Sequence, residues 1–166
     1  MAGFISGFDD QTPDSIVATA DRLNAIGVDV PFLSILTPFR GTRLYDEYLS
    51  SGRILTQRDW PHYNGYGVAF QPARMSPREL LDAHRRLWKR AFSPGAIVER
   101  LARSAAKLNR GAMMLTSAMN GFYGLKRLTG NSPTVPDLPR TGRIAHPLRP
   151  FSHTAADSVM TPITLS

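Results

Sequence analysis

The sequence predicts an α/β protein, with one strand–helix–strand unit of a partial parallel (β/α) barrel, then a mainly α-helical C-terminal region and a disordered tail. Two short apolar runs flank a segment of helical period near the N-terminus. Capped helix starts recur after this unit, and the end of the chain is rich in Pro, Thr and Ser. We therefore expect three regions: residues 1–74 as the barrel part with a wrapping loop, 75–129 as a helical extension, and 130–166 as the tail.

The first strand and helix are predicted from residues 3–27. Residues 3–8 are apolar or small and end in Asp, Thr and Pro, which is typical of a short buried strand. Thr12 can cap a helix, Pro13 suits its first position, and Gly27 suits its C-terminal end. The pattern predicts an inner face of Ile16, Ala20, Leu23 and Ile26, and an outer face of Asp21, Arg22 and Asn24.

The second strand is predicted over residues 28–36, which are mostly apolar and β-branched. Two strands joined through a helix of this length are parallel. Two parallel strands alone leave both outer edges unpaired, so the rest of the sheet belongs to another chain or the sequence begins in the middle of a barrel. The first strand starts close to Met1, which favours the second explanation.

The segment after the second strand is predicted to turn at Pro38 and Gly41, and a short helix follows from the Thr42 cap to about Ser51-Gly52. Residues 53–74 are predicted to wrap over the unit, with a turn at Asn64-Gly65 and a short strand over 68–70. Aromatic anchors are expected at Trp60-Pro61, Tyr63, Tyr66 and Phe70.

Three helices are predicted next. Ser76 to Glu79 forms a capping box, and the inner face of its helix is Leu80, His84, Leu87, Trp88 and Ala91. The helix after Ser93-Pro94 is predicted to bury Ile97, Val98, Leu101, Ala105 and Leu108 and to expose Arg100, Arg103 and Lys107. The third runs from Gly111 to about Leu128, and its Met113, Met114 and Met119 are expected to fill core gaps.

Composition excludes several kinds of chemistry. The chain has no cysteine, so it forms no disulfide, thiolate zinc site or cysteine nucleophile, and it cannot ligate an iron–sulfur cluster in the usual way. The N-terminus lacks a basic segment typical of a signal peptide, and no apolar run is long enough to span a bilayer. We expect a soluble, cytoplasmic chain.

Charge is unevenly distributed along the chain, whose net charge is +7. Residues 1–72 hold five basic and eight acidic residues, whereas residues 73–166 hold fifteen basic and five acidic residues. An anionic partner such as RNA, acidic lipid or another subunit is one explanation, and a solvated basic helix face is the favoured one. Few aromatic residues interleave with the basic ones, which disfavours nucleic acid.

No catalytic or metal-binding residue is predicted within this chain. Asp9 and Asp10 follow the first strand, but adjacent residues on an extended chain point to opposite faces, so turn and helix-dipole roles are favoured. The four histidines lie in different elements without metal-ligand spacing. His84 is expected in the core, whereas His62 could line a pocket.

An ordered set of motifs resembles the radical S-adenosylmethionine family in its cobalamin-binding form. Residues 3–10, GFISGFDD, resemble the fifth-strand Gly-x-Ile-x-Gly-x-x-Glu motif, and residues 34–45, SILTPFRGTRLY, resemble the sixth strand and its loop. Arg53-Ile54-Leu55, Asp59-Trp60 and the stretch from Met75 to Trp88 continue the match in order, over roughly residues 2–105. Asp10 stands where the family motif has Glu.

The resemblance implies a partial (β/α)6 barrel that binds S-adenosylmethionine beside a 4Fe-4S cluster, which converts it to a 5′-deoxyadenosyl radical. It implies cofactor contacts or support from Gly3, Ile5 and Gly7, less firmly from Asp10, and from the sixth-strand residues Ser34 and Ile35. The cluster cysteines, the first four strands and the cobalamin domain are missing from this sequence.

The chain is therefore expected to be a C-terminal fragment, inactive alone, whose parent is a methyltransferase or related enzyme. Its expected partner is the cysteine-bearing N-terminal half, or a separate chain that carries the cysteines. The alternative is a non-catalytic basic helical module that binds RNA, acidic lipid or a partner subunit.

Overall fold

The computed structural model describes residues 1–57 and 62–128. Two strands and five helices follow in chain order: β1 (Ala2–Ser6), α1 (Pro13–Ala25), β2 (Pro31–Ile35), α2 (Arg43–Ser50), α3 (Pro77–Ala91), α4 (Pro94–Ala105) and α5 (Arg110–Leu128). The predicted Trp60-Pro61 anchor and the predicted tail lie outside the described residues.

The sheet is the parallel pair that the sequence predicts. Strand β1 pairs with β2 in register from Ala2 opposite Pro31 to Ser6 opposite Ile35. Helix α1 forms the crossover between them, so the described part of the chain holds one βαβ unit in a two-stranded sheet. The α/β prediction, with helices following the strand unit, is confirmed.

The helix starts are fixed by the capping residues that the sequence indicates. The side chains of Thr12, Thr42 and Ser76 each accept a hydrogen bond from a backbone N–H in the first turn of α1, α2 and α3. Helix α1 ends at Ala25, and Gly27 beyond it takes a positive φ of 79°, as expected of a glycine that follows a helix. Ile26, predicted on the inner face, is instead the C-capping residue and is 74% exposed, so that part of the prediction is wrong.

The core lies between α3, α1 and one face of the sheet. The predicted inner face of α3 is buried, and Leu80 and Leu87 are fully enclosed. Ile16 and Ala20 of α1 and Leu33 of β2 pack against it in the same cluster. Packing against these helices stabilises the two strands, which would not be stable alone in water.

A buried polar contact sits inside this core. The Ser6 hydroxyl and His84 Nδ1 are 3.2 Å apart and share a hydrogen bond between β1 and α3. His84 Nε2 has no hydrogen-bond partner in the described part of the chain. Burial lowers the pKa of His84 from 6.5 to about 4, so this side chain is neutral at pH 7.

The wrapping segment is held by two short backbone contacts and its predicted aromatic anchors. The Leu55 N–H donates to Ala69 O at 2.9 Å, and the Gln71 N–H donates to Arg53 O at 2.7 Å. An antiparallel bridge joins Ile54 to Phe70, so the predicted strand over 68–70 is only a bridge. Two of the predicted anchors, Tyr63 and Phe70, are buried, and Tyr66 is half-buried.

The same segment contains the predicted turn. Gly65 has a φ of 81°, and the Asn64 side-chain oxygen accepts hydrogen bonds from the N–H groups of Tyr66 and Gly67. This arrangement is an Asx-turn, in which the side-chain oxygen of Asn takes the place of a backbone carbonyl acceptor. The Asn64-Gly65 prediction is confirmed.

Helix α4 presents a different face from the one predicted. Arg100 is only 1% exposed, whereas Val98 is 67% exposed. The Arg100 guanidinium donates to Asn120 Oδ1 at 2.6 Å, to Asn24 Oδ1 at 2.9 Å and to Ala91 O at 2.9 Å. The prediction failed because helical periodicity does not distinguish an arginine that faces solvent from a buried arginine that donates to oxygens of other helices.

Arg100 anchors the C-terminal ends of two other helices. Ala91 is the last residue of α3, and Asn24 lies in the last turn of α1. The carbonyl end of a helix carries partial negative charge, which favours a cation there. Arg103 adds a hydrogen bond to Asn24 O, so the prediction that it faces outward is also wrong, and Asn24 does not point away from the core as predicted.

Helix α5 extends this polar network. Asn120 is fully buried, and its amide donates to Asp29 O at 3.0 Å and Thr116 O at 2.9 Å. Ser104 on α4 donates a hydrogen bond to the Asp29 carboxylate. The turn between α1 and β2 is therefore bonded to both C-terminal helices.

An aromatic cluster gives α5 its apolar contact with the core. The Tyr123 ring lies 5.3 Å from Trp88 and 5.1 Å from Phe92, and it meets Phe32 of β2 edge-on at 6.1 Å. The three methionines of this helix that were predicted to fill core gaps are not part of this aromatic cluster. Met114 is 74% exposed, so its assignment to the core is wrong, whereas Met113 and Met119 are half-buried.

Within residues 1–57 and 62–128, no helix is long and apolar enough to cross a membrane.

The Arg100 network predicts a large loss of stability on truncation. Replacing Arg100 with Ala leaves three buried oxygens without their donor and should lower the free energy of unfolding by about 3 kcal/mol. Urea denaturation measures this change. The exposed Arg86 on α3 is the matched control, since Arg86→Ala should change stability by less than about 0.5 kcal/mol. Equal effects of the two substitutions would show that the network contributes nothing specific.

His84 predicts acid sensitivity of the core. Its pKa is about 4 in the folded chain, against 6.5 ordinarily, so the unfolded chain binds more protons between these pH values. Stability from this group is full at pH 7 and falls by up to about 3 kcal/mol as the pH approaches 4. Urea denaturation at several pH values measures the slope. His84→Gln keeps a polar side chain without titration and should have a shallower slope, and parallel slopes would refute this assignment.

Candidate functional site

The face of the sheet opposite α1 and α3 forms the candidate site, and Tyr123 of α5 contacts it at Phe32. Side chains on paired parallel strands alternate between two faces, and the residues facing away from the core are Gly3, Ile5, Phe32 and Ser34. Ile5 is 43% exposed and Phe32 is 39% exposed, although both belong to strands. We call these four residues the open face.

The open face includes three of the residues that the sequence predicts as cofactor-binding. Register places Gly3 opposite Phe32 and Ile5 opposite Ser34, so these residues form one continuous patch. The Ser34 hydroxyl donates to Phe4 O at 3.4 Å across the strand pair. This bond holds the hydroxyl against the sheet and leaves a surface of small and apolar groups.

Ile35 lies on the opposite side from the open face. Its side chain is 1% exposed within the core, and its N–H donates to Gly65 O at 2.5 Å. The residue therefore fixes the Asn64-Gly65 turn beside β2 and does not present its side chain to a ligand on the open face.

The two glycines of the motif have different physical roles. A Cβ atom at Gly3 would meet nothing within 4 Å, so the space over this residue can accept a ligand or another backbone. A Cβ atom at Gly7 would lie 3.0 Å from Leu80 Cδ2 and 3.2 Å from Phe70 Cζ. Gly7 also has a φ of 108°, so glycine is required there by packing and backbone conformation.

The loop after β1 is organised by one side chain. Gln11 Oε1 accepts the Gly7 N–H at 2.7 Å and the Phe8 N–H at 3.2 Å. Asp10, the fourth predicted motif residue, is exposed in this loop, and its carbonyl oxygen accepts a hydrogen bond from Arg74 at 3.4 Å. Asp10 thus lies at the rim, beyond the carboxyl end of β1.

Sequence reasoning missed an ion pair in the same loop. Arg53 donates two hydrogen bonds to the Asp9 carboxylate, at 2.8 and 2.5 Å, and its guanidinium lies 4.1 Å from the centre of the Tyr48 ring. The hydrogen bonds from Arg53 lower the pKa of Asp9, and those to Asp9 raise the pKa of Arg53. The two residues are 44 positions apart, and no local pattern indicates their pairing.

The outer edge of β1 offers backbone hydrogen-bonding groups. The Ala2 N–H donates to Val30 O at 3.2 Å, and Ser6 O accepts from the Leu36 N–H at 2.8 Å, so these residues bond towards β2. Alternation along a parallel strand then directs the N–H and C=O groups of Gly3 and Ile5 to the other edge. In the described part of the chain the sheet has two strands, so that edge pairs with no further strand.

The open face carries no group that could react. Its four side chains include no acid, base or nucleophile poised by a neighbouring base. Among the residues that the structure describes, no group of three or more His, Asp or Glu side chains could hold a metal ion. The arrangement suits a flat apolar or aromatic group.

Comparison with known proteins finds methyltransferases. The chain is 33% identical over 98 residues to a bacteriochlorophyllide d C-12(1)-methyltransferase of Chlorobaculum tepidum, covering 59% of this chain and 21% of that protein. It is 38% identical over 48 residues to the bacteriochlorophyllide d C-8(2)-methyltransferase of the same organism, covering 29% and 10%.

An uncharacterised methyltransferase of Pyrococcus horikoshii is 33% identical over 63 residues, covering 38% of this chain and 14% of that protein. The chain thus spans about a fifth or less of the length of these relatives. No family model and no solved structure matches it. These relatives are methyltransferases, and the motif resemblance also implied a methyltransferase or related enzyme.

The contrast between the two glycines gives a paired prediction. Gly7→Ala should lower the free energy of unfolding by about 2 kcal/mol, because the new methyl group meets Leu80 and Phe70 and the backbone is strained. Gly3→Ala should change stability by less than about 0.5 kcal/mol, because its space is open. Thermal or urea unfolding of both variants checks the pair, and a Gly3 variant as damaged as the Gly7 variant would refute it.

Proposed function

We propose that this chain is the C-terminal part of the S-adenosylmethionine-binding barrel of a radical S-adenosylmethionine methyltransferase. The observation that carries the proposal is the open face, where Gly3 and Ile5 of β1 lie beside Ser34 of β2, and in the described residues β1 pairs with no further strand at its outer edge. Similarity to methyltransferases supports the activity class. The motif order from residue 3 to residue 45 supports the radical type.

The open face fits the adenine part of S-adenosylmethionine. Adenine is flat, and the space above Gly3 is free of other atoms within 4 Å of a Cβ position. Ile5 offers an exposed apolar side chain beside it. The outward N–H and C=O groups of Gly3 and Ile5 are left for pairing with a further strand, so contact with adenine is made over the face of the sheet. These two residues are therefore assigned direct contact with the cofactor.

The remaining motif residues are assigned supporting roles. Gly7 lets the loop after β1 pack against Leu80, which sets the height of that loop at the end of the strand. Ile35 fixes the turn at Gly65 through its N–H. Ser34 borders the patch with its hydroxyl turned to Phe4 O, and Asp10 lies at the rim.

The radical chemistry requires groups that this chain cannot hold. A 4Fe-4S cluster supplies the electron that cleaves S-adenosylmethionine, and its usual cysteine ligands are missing from this sequence. We assign the cluster, and the cobalamin implied by the motif form, to residues outside this chain. The chain alone is then not catalytic, and its partner is the cysteine-bearing half, in the same polypeptide or in a separate one.

The same partner would complete the sheet. A buried parallel strand needs neighbours on both sides, and the outer edge of β1 is the place where another strand would pair. Pairing there would bring the cluster-bearing half beside Gly3 and Ile5, at the face that would hold the cofactor. The edge of β1 would therefore serve assembly, and the adjoining open face would serve binding.

Isolation of the natural polypeptide from its own cells through a C-terminal tag tests the proposal. We expect the isolated species to contain a Cys-x-x-x-Cys-x-x-Cys sequence, either continuous with this chain or in a co-purifying one. It should bind S-adenosylmethionine in equilibrium dialysis, whereas the 166-residue chain alone should not.

A substitution on the open face supplies the specific part of this test. Gly3→Leu in the isolated species should weaken S-adenosylmethionine binding by more than about tenfold, because its side chain occupies the space over the strand. Gly95→Leu is the control, since that glycine at the start of α4 is exposed and also has open space around it. A species that lacks the cysteine sequence, or binding that Gly3→Leu leaves unchanged, would refute the proposal.

A further inference from the structure

Helix α5 buries polar residues against the rest of the protein and exposes apolar ones, the reverse of a typical amphipathic helix. Its most buried residues are polar, with Thr116 at 6% and Asn120 at 0% exposure. Its outward side is apolar and consists of Met114, Leu115, Ala118, Phe122, Leu125 and Leu128, which we call the α5 apolar face. Five of these residues are large and between 53 and 74% exposed.

The α5 apolar face is continuous. At about 100° per residue its six members cover an arc of roughly 140° along a helix about 28 Å long. Beside it, a groove of about 290 Å³ between α4 and α5 is lined by Phe92, Ile97, Gly124 and other mostly apolar residues. A patch of this extent on a protein surface marks a site of interaction.

Cations lie at both ends of the α5 apolar face. Lys107 and Arg110 precede or open the helix, and Lys126 lies in its last turn, whereas Arg127 is turned to α3 and donates to Lys89 O at 3.0 Å. The Lys126 ammonium lies 5.1 Å from the centre of the Phe122 ring. Residues 106–128 contain four basic and no acidic residues.

This charge pattern decides between the possible occupants. In a symmetric pair of antiparallel α5 helices, the cations at the start of one would meet those at the end of the other. Like charges at such a contact are unfavourable. Anionic lipid headgroups offer the opposite charge next to an apolar phase, which matches both parts of the surface.

We propose that α5 binds the surface of anionic phospholipid bilayers. The helix lies in the plane of the interface, with Leu115 and Phe122 inserted among the acyl chains and the terminal cations at the headgroups. Helices of this kind combine an apolar face with flanking Lys and Arg and insert about 5–10 Å into a bilayer. The long side chains of Lys107 and Lys126 can reach the phosphates while their stems cover apolar surface.

Sedimentation of the full chain with vesicles tests this proposal. We expect binding to vesicles of phosphatidylglycerol mixed with phosphatidylcholine, weaker binding to phosphatidylcholine alone, and loss of binding at high salt. The double variant Leu115→Gln/Phe122→Gln should reduce the affinity for anionic vesicles by about tenfold or more. Both residues are exposed, so circular dichroism should show an unchanged fold.

Phe39→Gln is the matched control. Phe39 and Phe122 are the same residue type with the same 53% exposure, but Phe39 lies in the loop after β2. This variant should keep the wild-type affinity for anionic vesicles. An equal loss in both variants would overturn the proposal, because binding would then follow general surface hydrophobicity.

Two further results would overturn it. A dimer that the double variant converts to a monomer, without vesicle binding by the wild-type chain, would assign the α5 apolar face to a second copy. A monomer that binds no vesicles would assign it to another protein. The assay uses no S-adenosylmethionine, so its failure leaves the proposed function standing.

Discussion

The structure depends on the packing of α3 across α1 and one face of a two-stranded sheet. Two parallel strands have too little buried surface to persist in water, and here Leu80, Leu87 and Trp88 supply it. Because α1 and α3 pack against one face, the other face keeps Gly3, Ile5 and Phe32 exposed and Ser34 half-buried, with Tyr123 of α5 in contact at Phe32. The candidate site therefore exists because α1 and α3 pack against one face of the sheet and leave the residues of the other face accessible.

Sequence patterns predicted the elements well where local chemistry decides the structure. Thr12, Thr42 and Ser76 cap helices because their hydroxyls accept from backbone N–H groups a few residues away, an interaction contained in one short segment. The parallel pairing followed from the length of the crossover, and the inner face of α3 followed from its period. The shared face of Gly3, Ile5 and Ser34 follows from pairing register, although Ile35 points to the other side.

Failures of sequence reasoning occur where distant parts of the chain meet. Arg100 was expected to face solvent, but its donors reach oxygens from α1, α3 and α5 that no local period can reveal. Asp9 lies in a turn as predicted, but its ion pair with Arg53 joins positions 44 apart and was missed. On α5, burial of Asn120 in place of Met114 reverses the expectation from hydrophobicity, because the Asp29 carbonyl is present as an acceptor.

The buried polar network also has a consequence for the order of folding. It joins Arg100 to Asn24 across 76 positions and Asn120 to Asp29 across 91 positions. Closing such long loops costs more chain entropy than forming a helix or its caps, so these contacts form after the βαβ unit has created its turn. In chain order the βαβ unit and then α3, which covers it, precede α4 and α5. We therefore expect α4 and α5 to dock last, on the turn between α1 and β2 that has already formed.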